Sequence, residues 1–376
     1  MYKKQIYFFS LLLLCSCKVL SPGSYTLRSN QKTAEQYSKT ITQKELKTHL
    51  KIISSDEFEG RETTTIGQKK AAAYIKNQFI KNNIKSPFKD TAYFQSFPVD
   101  VLDFSKVELH YNNTKLIFTD DFYPYGNPIN SDYDNVPIVN VGYGISTKEK
   151  NEYLGKNTNG KVVLLKQGLP PGDTVNKKQG NWRRKVKTAT KNGALGVVFI
   201  KSNYANTDLR IKEHLKNPLM QLHGNQKSKP QIPVFIVDEE KIKSLNYETN
   251  TASFNTRITQ RKSGENVLGF IPGVTDEIIV ISAHYDHIGY DRGKICNGAD
   301  DDGSGTSSLL AISKAFQKAF DEGNKPQRGI LFLAVSGEEK GLFGSQYYTE
   351  NPVFPLKKTI ADLNIDMVGR QDTIQE

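Results

Sequence analysis

The chain has 376 residues, of which 37% are hydrophobic and 24% charged, and it carries a net charge of +11. That length favours two domains over one, and the balance excludes a chain too polar to build a core. Of its 3 cysteines only Cys296 lies beyond the first 17 residues, which excludes an internally disulfide-stapled scaffold for the rest of the chain.

The first 17 residues read as a secretory leader. Lys3 and Lys4 precede an apolar run over 6–14, which is too short to span a bilayer, and Leu14-Cys15-Ser16-Cys17 follows. The Leu-x-Ser-Cys ending resembles a bacterial lipobox, which implies Cys17 as the lipid anchor; a plain signal peptide is the alternative. Lys18 is not the aspartate that retains lipoproteins in the inner membrane, so the expected location is the outer membrane, facing periplasm or surface. Residues 18–40 are polar, lack apolar periodicity and read as a tether.

A first domain segment is expected over 41–101. Within it, residues 67–83 place Ala72, Ile75, Phe79 and Ile80 on one helical face, and a strand follows over 94–99. From 102 to 257 the texture changes to short strands (136–141, 161–165, 196–200, 232–237) between Gly, Pro and Asn, with one helix over 182–191. This module reads as an insertion, because the apolar-strand texture resumes over 266–271. Residues 141–240 hold 18 Lys or Arg against 8 Asp or Glu. Scattered as they are, without a stacking platform or a nucleic-acid motif, they read as a solvated basic face, and no nucleic-acid partner is expected. The remainder, 258–376, runs strand, strand, helix, strand, helix, strand. Its helix over 306–320 carries Leu309, Ile312, Phe316 and Phe320 on one face, which predicts parallel pairing in an α/β sandwich.

Chemistry collects at the ends of these strands. The run 278–283 delivers His284 and Asp286, and a glycine-rich turn delivers Asp301. The run 330–335 delivers Glu338 and Glu339; the run 360–365 delivers Asp366. In open α/β sheets, ligands bind outside the carboxyl ends of the strands, so these residues are predicted to converge. Mixed histidine and carboxylate donors point to zinc. Asp286, two residues beyond His284, is the candidate to receive the ring's other N–H. Taken singly, DDDGSG reads as a surface turn and helix cap, Glu338-Glu339 as a helix start, and Asp366 as a strand cap.

The strings AHYDHIG, NGADDDGSG, SGEEKGLFGS and NIDMVG together resemble the zinc-dependent exopeptidase family that includes bacterial leucyl aminopeptidases, glutamate carboxypeptidase and glutaminyl cyclase. SSDEFEGRETTTIGQKKAAAYI resembles that family's opening helix region, and NGKVVLL, GALGVVFI and IPVFIV resemble its inserted protease-associated (PA) domain. The resemblance implies a phosphorylase/hydrolase-like three-layer α/β/α zinc peptidase domain with a β-rich PA insert. It implies Asp301 as the carboxylate bridging two zinc ions, His284 and Asp366 completing one site, Glu339 in the other, and Glu338 as the general base toward the attacking water. It also implies a strained cis peptide directly after Asp301.

One departure stands out. The family supplies a further histidine to the Glu339 site from beyond the NIDMVG aspartate, and none of His49, His110, His214, His223, His284 and His287 lies there. The expectation is a fragment of a longer protein in preference to a degenerate homologue with one intact zinc position. His287 is set aside as a substitute, because it alternates away from His284 on an extended chain. The activity implied is a two-zinc aminopeptidase acting on peptides. A carboxypeptidase, a glutaminyl cyclase and a catalytically silent receptor-like protein are the rivals; oligomeric state and residue preference are left open.

Overall fold

The structure, a computed structural model, describes residues 27–89, 92–126, 130–173, 177–206, 209–224, 232–245, 250–257 and 259–370. The expected leader, Cys17 and the first part of the expected tether lie outside these residues. Among the described residues no helix is long and apolar enough to cross a membrane.

Where it is described, the expected tether is helical: α1 spans Leu27–Ser38. Its sequence is polar enough to read as coil, but Tyr37 is buried and its hydroxyl donates to Glu322 at 2.6 Å, so one aromatic anchor docks the helix. Next come α2 (Gln43–Ile53) and α3 (Ile66–Lys81), whose N-caps Thr42 and Thr65 accept from Glu45 and Gln68 amides. On α3 the buried face is Ala71, Ala72, Ile75 and Phe79, while Ile80 is turned outward, a correction to the predicted face.

Strand β1 (Phe94–Leu102) leads into the insert. The insert contains β2 (Glu108–Tyr111), β3 (Thr114–Lys115), β4 (Phe122–Pro124), β5 (Asp132–Asn140), β6 (Val162–Lys166), α4 (Trp182–Lys191), β7 (Gly196–Lys201), α5 (Leu209–Lys216), β8 (Leu219–Leu222), β9 (Val234–Asp238), α6 (Glu239–Ser244) and β10 (Thr251–Asn255). The chain returns through β11 (Thr259–Ile271), β12 (Ile278–His284), a hairpin β13 (Gly289–Asp291) and β14 (Lys294–Cys296), α7 (Gly305–Asp321), β15 (Gly329–Val335), α8 (Phe343–Glu350) and β16 (Thr359–Asn364). The hairpin has no counterpart in the sequence expectation.

The large domain is one six-stranded sheet in the order β16-β12-β15-β11-β1-β8. β12 runs parallel to β15 and β16, but β11 is antiparallel to both β15 and β1, so the predicted parallel pairing holds only for the part that carries the site. β15 is buried along its whole length. Ile330, Phe332 and Ala334 face a core with Ile75, Phe79 and Leu309, whereas Leu331, Leu333 and Val335 face Tyr348 of α8. A strand buried on both sides with period-two alternation is the signature of helices on both faces, hence three layers. Phe316, predicted on the buried face of α7, is partly exposed; it sits at the margin against Phe332, and Leu310 is buried instead.

The insertion is legible in the register. Leu102, the last residue of β1, pairs with Thr259, the first of β11, so the chain leaves and re-enters through neighbouring antiparallel strands. The insert forms its own eight-stranded sheet, with β5, β6, β7 and β9 parallel, around Phe122, Val163, Phe199, Phe235 and Phe254. β8 leaves that sheet and pairs with β1, so one strand of the insert extends the large domain's sheet. The insert also buries Lys185, whose Nζ donates to the carbonyls of Lys166 and Gly168 at 3.0 and 2.5 Å.

Candidate metal centre

Three neighbouring parallel strands deliver the site. His284 closes β12 opposite Val335, the last residue of β15, and β16 ends at Asn364, two residues before Asp366. The carboxyl ends of these strands thus lie side by side. The loop before α7 brings Asp301 to the same place; its peptide bond to Asp302 is cis, as the resemblance implied.

His284 Nε2 lies 3.2 Å from Asp301 Oδ1 and 3.7 Å from Asp366 Oδ1. Two donors on one tetrahedral zinc, each at about 2.0–2.2 Å, stand roughly 3.3–3.6 Å apart, so this nitrogen and these oxygens are spaced as ligands of a single ion. Asp301 turns its other oxygen toward a second group, in which Oδ2 is 3.9 Å from His287 Nδ1 and Glu339 is adjacent. One carboxylate therefore faces two donor sets.

The second group corrects the treatment of His287. β12 stops at His284, so strand alternation no longer governs the next residues, and the chain turns His287 back to within 2.6 Å of Glu339 Oε1. That distance is shorter than the spacing of two ligands on one ion and suits a charge-assisted hydrogen bond. The bond holds Glu339 below its ordinary carboxylate pKa, against the effect of its burial.

Of the three successive acids only Asp301 faces the donors. Asp302 is fully buried; its Oδ1 accepts from the Gly305 and Met367 amides at 2.8 and 3.2 Å, and burial pushes its pKa up to about 7 against the pull of His284. Asp300 turns away to the Gly369 amide at 2.9 Å and Arg370 at 3.2 Å. The three successive acids therefore have three separate tasks, two of which fasten the loop after Asp366.

Asp286 lies behind His284. His284 Nδ1 is 3.2 Å from the Asp286 carbonyl oxygen and 3.8 Å from its carboxylate, so the ring N–H is received by the backbone and the carboxylate acts through charge. Burial disfavours a charged imidazole here, but Asp286, Asp302 and Glu338 outweigh it and push His284 up to about 9. A metal binding at Nε2 must displace that proton. Glu338 is half-buried, and its pKa is raised by that burial, opposed by His284 and reinforced by Asp286, Glu339 and Asp366.

Three supporting residues were not singled out from the sequence. Thr63 Oγ1 donates to Asp286 Oδ2 at 3.1 Å and lies 3.0 Å from Ser336 Oγ. Arg61 is fully buried beneath the same loops. The signal for Arg61 and Thr63 was the EGRETT run, a cation and hydroxyls directly after a glycine, which carries no helical or strand period.

Residues 266–375 match the family described as Peptidase family M28, and residues 124–245 match the PA domain. Aminopeptidase YwaD of Bacillus subtilis (strain 168) is 26% identical over 237 residues, covering 62% of this chain and 44% of that protein. A probable glutamate carboxypeptidase of Arthroderma benhamiae is 38% identical over 104 residues, covering 27% of this chain and 14% of that one. The chain thus spans less than half the length of either relative. Among solved structures, the aminopeptidase from Aneurinibacillus sp. strain AM-1 shares the fold, with a TM-score of 0.50 at 22% identity over 90% of this chain and 73% of that one.

Proposed function

Because the chain belongs to peptidase family M28 and carries a PA domain within that fold, we propose that it is a zinc-dependent aminopeptidase removing N-terminal residues from peptides. The observation that carries this reading is Asp301, whose two carboxylate oxygens face separate donor groups, with His284 and Asp366 on one side and Glu339 on the other. Zinc held there supplies Lewis acidity toward a carbonyl and makes water a nucleophile near neutral pH.

The chain's own residues do the rest. Glu338, with its raised pKa, takes a proton from the attacking water and passes it to the departing amine. Its backbone N–H is fixed on Asp286 Oδ1 at 3.2 Å, so base and imidazole share one buried support. Asp301 holds both positions, and His287 holds Glu339 in line for the second.

Support for the aminopeptidase direction comes from the similarity to YwaD; the identity with a probable glutamate carboxypeptidase favours the opposite direction. Product analysis on a tripeptide decides: release of the N-terminal residue supports the reading, release of the C-terminal residue replaces it. The leader pattern extends the proposal to an exported lipoprotein anchored in the membrane through Cys17. Loss of fatty-acid labelling in Cys17→Ala tests that part.

A further inference from the structure

We propose that Arg61 is a positioning residue that sets the metal-bearing loops in place before any metal arrives. The inference rests on the metallopeptidase reading above, and deepens it by naming what holds the donor set together.

The guanidinium is fully buried, and its partners are backbone carbonyls throughout. Nε donates to Tyr285 O at 2.7 Å, Nη1 to Ile53 O and Asn297 O at 2.7 Å each, and Nη2 to Gly298 O at 2.8 Å. Tyr285 sits between His284 and Asp286, and Gly298 sits three residues before Asp301. One rigid fork thereby ties together the segments that carry His284 and Asp301 and anchors both to the end of α2. In return the Arg61 carbonyl accepts the His287 amide at 3.4 Å.

A burial so complete is unfavourable for a cation unless its donors are matched. Here four bonds to three separate segments match them, which a lysine's compact ammonium cannot reproduce. Burial lowers the Arg61 pKa only to about 10, with Asp286, Asp302, Asp301 and Glu339 opposing the fall, so the group stays charged at neutral pH. Its charge lies beside carboxylates that otherwise repel one another until a metal binds. The neighbouring backbone is packed too closely for alternatives: a side chain at Gly60 meets the carbonyls of Gly289 and Cys296.

The test is cobalt binding to the metal-stripped, full-length protein, read by titration and by the visible d–d spectrum, at a temperature where every variant is folded by circular dichroism. Arg61→Lys and Arg61→Met are expected to bind cobalt about 10–100-fold more weakly, with a shifted spectrum. Lys185→Met, which disturbs a buried cation in the insert, is expected to bind as the wild type does. Wild-type affinity and spectrum in an Arg61 variant, or an equal loss in Lys185→Met, overturns the inference. Should neither Arg61 variant fold, hydrogen exchange on the metal-free wild type decides. Amides of Tyr285, His287 and Gly303 as slow as those of β12 support preorganisation, and fast exchange that slows only with cobalt refutes it. A wild type that binds no cobalt sinks the metallopeptidase reading itself, and this inference with it.

Discussion

Asp286 Oδ1 accepts the backbone N–H of Glu338 at 3.2 Å, so the residue that backs the histidine also fixes the turn that carries Glu338. Its other oxygen takes Thr63 Oγ1 at 3.1 Å, and the carboxylate is fully buried. Asp286→Asn keeps the shape but removes the charge and turns one acceptor into a donor. The expected result is a roughly 10–100-fold loss in kcat/KM or in zinc affinity, measured by steady-state kinetics and zinc titration on the full-length protein. Thr63→Val leaves one Asp286 oxygen without its donor and is expected to cost about 1–3 kcal/mol in urea unfolding. Asp286→Asn with both kinetics and zinc affinity unaltered contradicts the shared-support account.

Asp301 faces both donor groups, and the others face one each. Asp301→Asn is therefore expected to lower zinc at both positions, whereas Glu339→Gln lowers it at one. Elemental analysis after dialysis against limiting zinc separates the two. Equal losses from both substitutions contradict the bridging role.

His287 sits at hydrogen-bond distance from Glu339, closer than two ligands of one ion stand. His287→Ala is expected to weaken the second position about tenfold while leaving the number of zinc ions at saturation unchanged. A variant that saturates with one ion fewer identifies His287 as a ligand instead.

Lys185 offers a pH test away from the metal. Burial lowers its pKa from the ordinary 10.5 to about 8, against the charge of Glu152. Between those values the unfolded chain holds more protons at this site than the folded one, so stability rises with pH there. The difference in unfolding free energy between wild type and Lys185→Met is expected to shift in favour of the wild type from pH 8 to 10. A flat difference shows that the ammonium is not destabilised in the fold.

His284, Glu339 and Asp366 were legible because each follows an apolar run, and parallel strands collect their carboxyl ends whatever their spacing in sequence, whereas Asp301 was marked by its glycine-rich turn. The insertion was legible from texture, and the Leu102–Thr259 register shows why it closes neatly. What escaped notice lies where period fails. His287 follows the end of a strand, so alternation misplaced it. Arg61 works through backbone carbonyls, which leave no trace in side-chain pattern. The antiparallel half of the sheet escaped because β1 is separated from β11 by the whole insert, and pairing across such a distance has no local signal.

The central claim is that Glu338 serves as base beside a metal pair held by His284, Asp301, Glu339 and Asp366. Its most direct test is hydrolysis of leucine p-nitroanilide by the zinc-loaded full-length protein and by Glu338→Gln, which removes the proton acceptor and leaves the donor set alone. The account predicts that kcat falls by about 10²–10⁴ with zinc content unchanged. A zinc-loaded Glu338→Gln that turns over at the wild-type rate contradicts it.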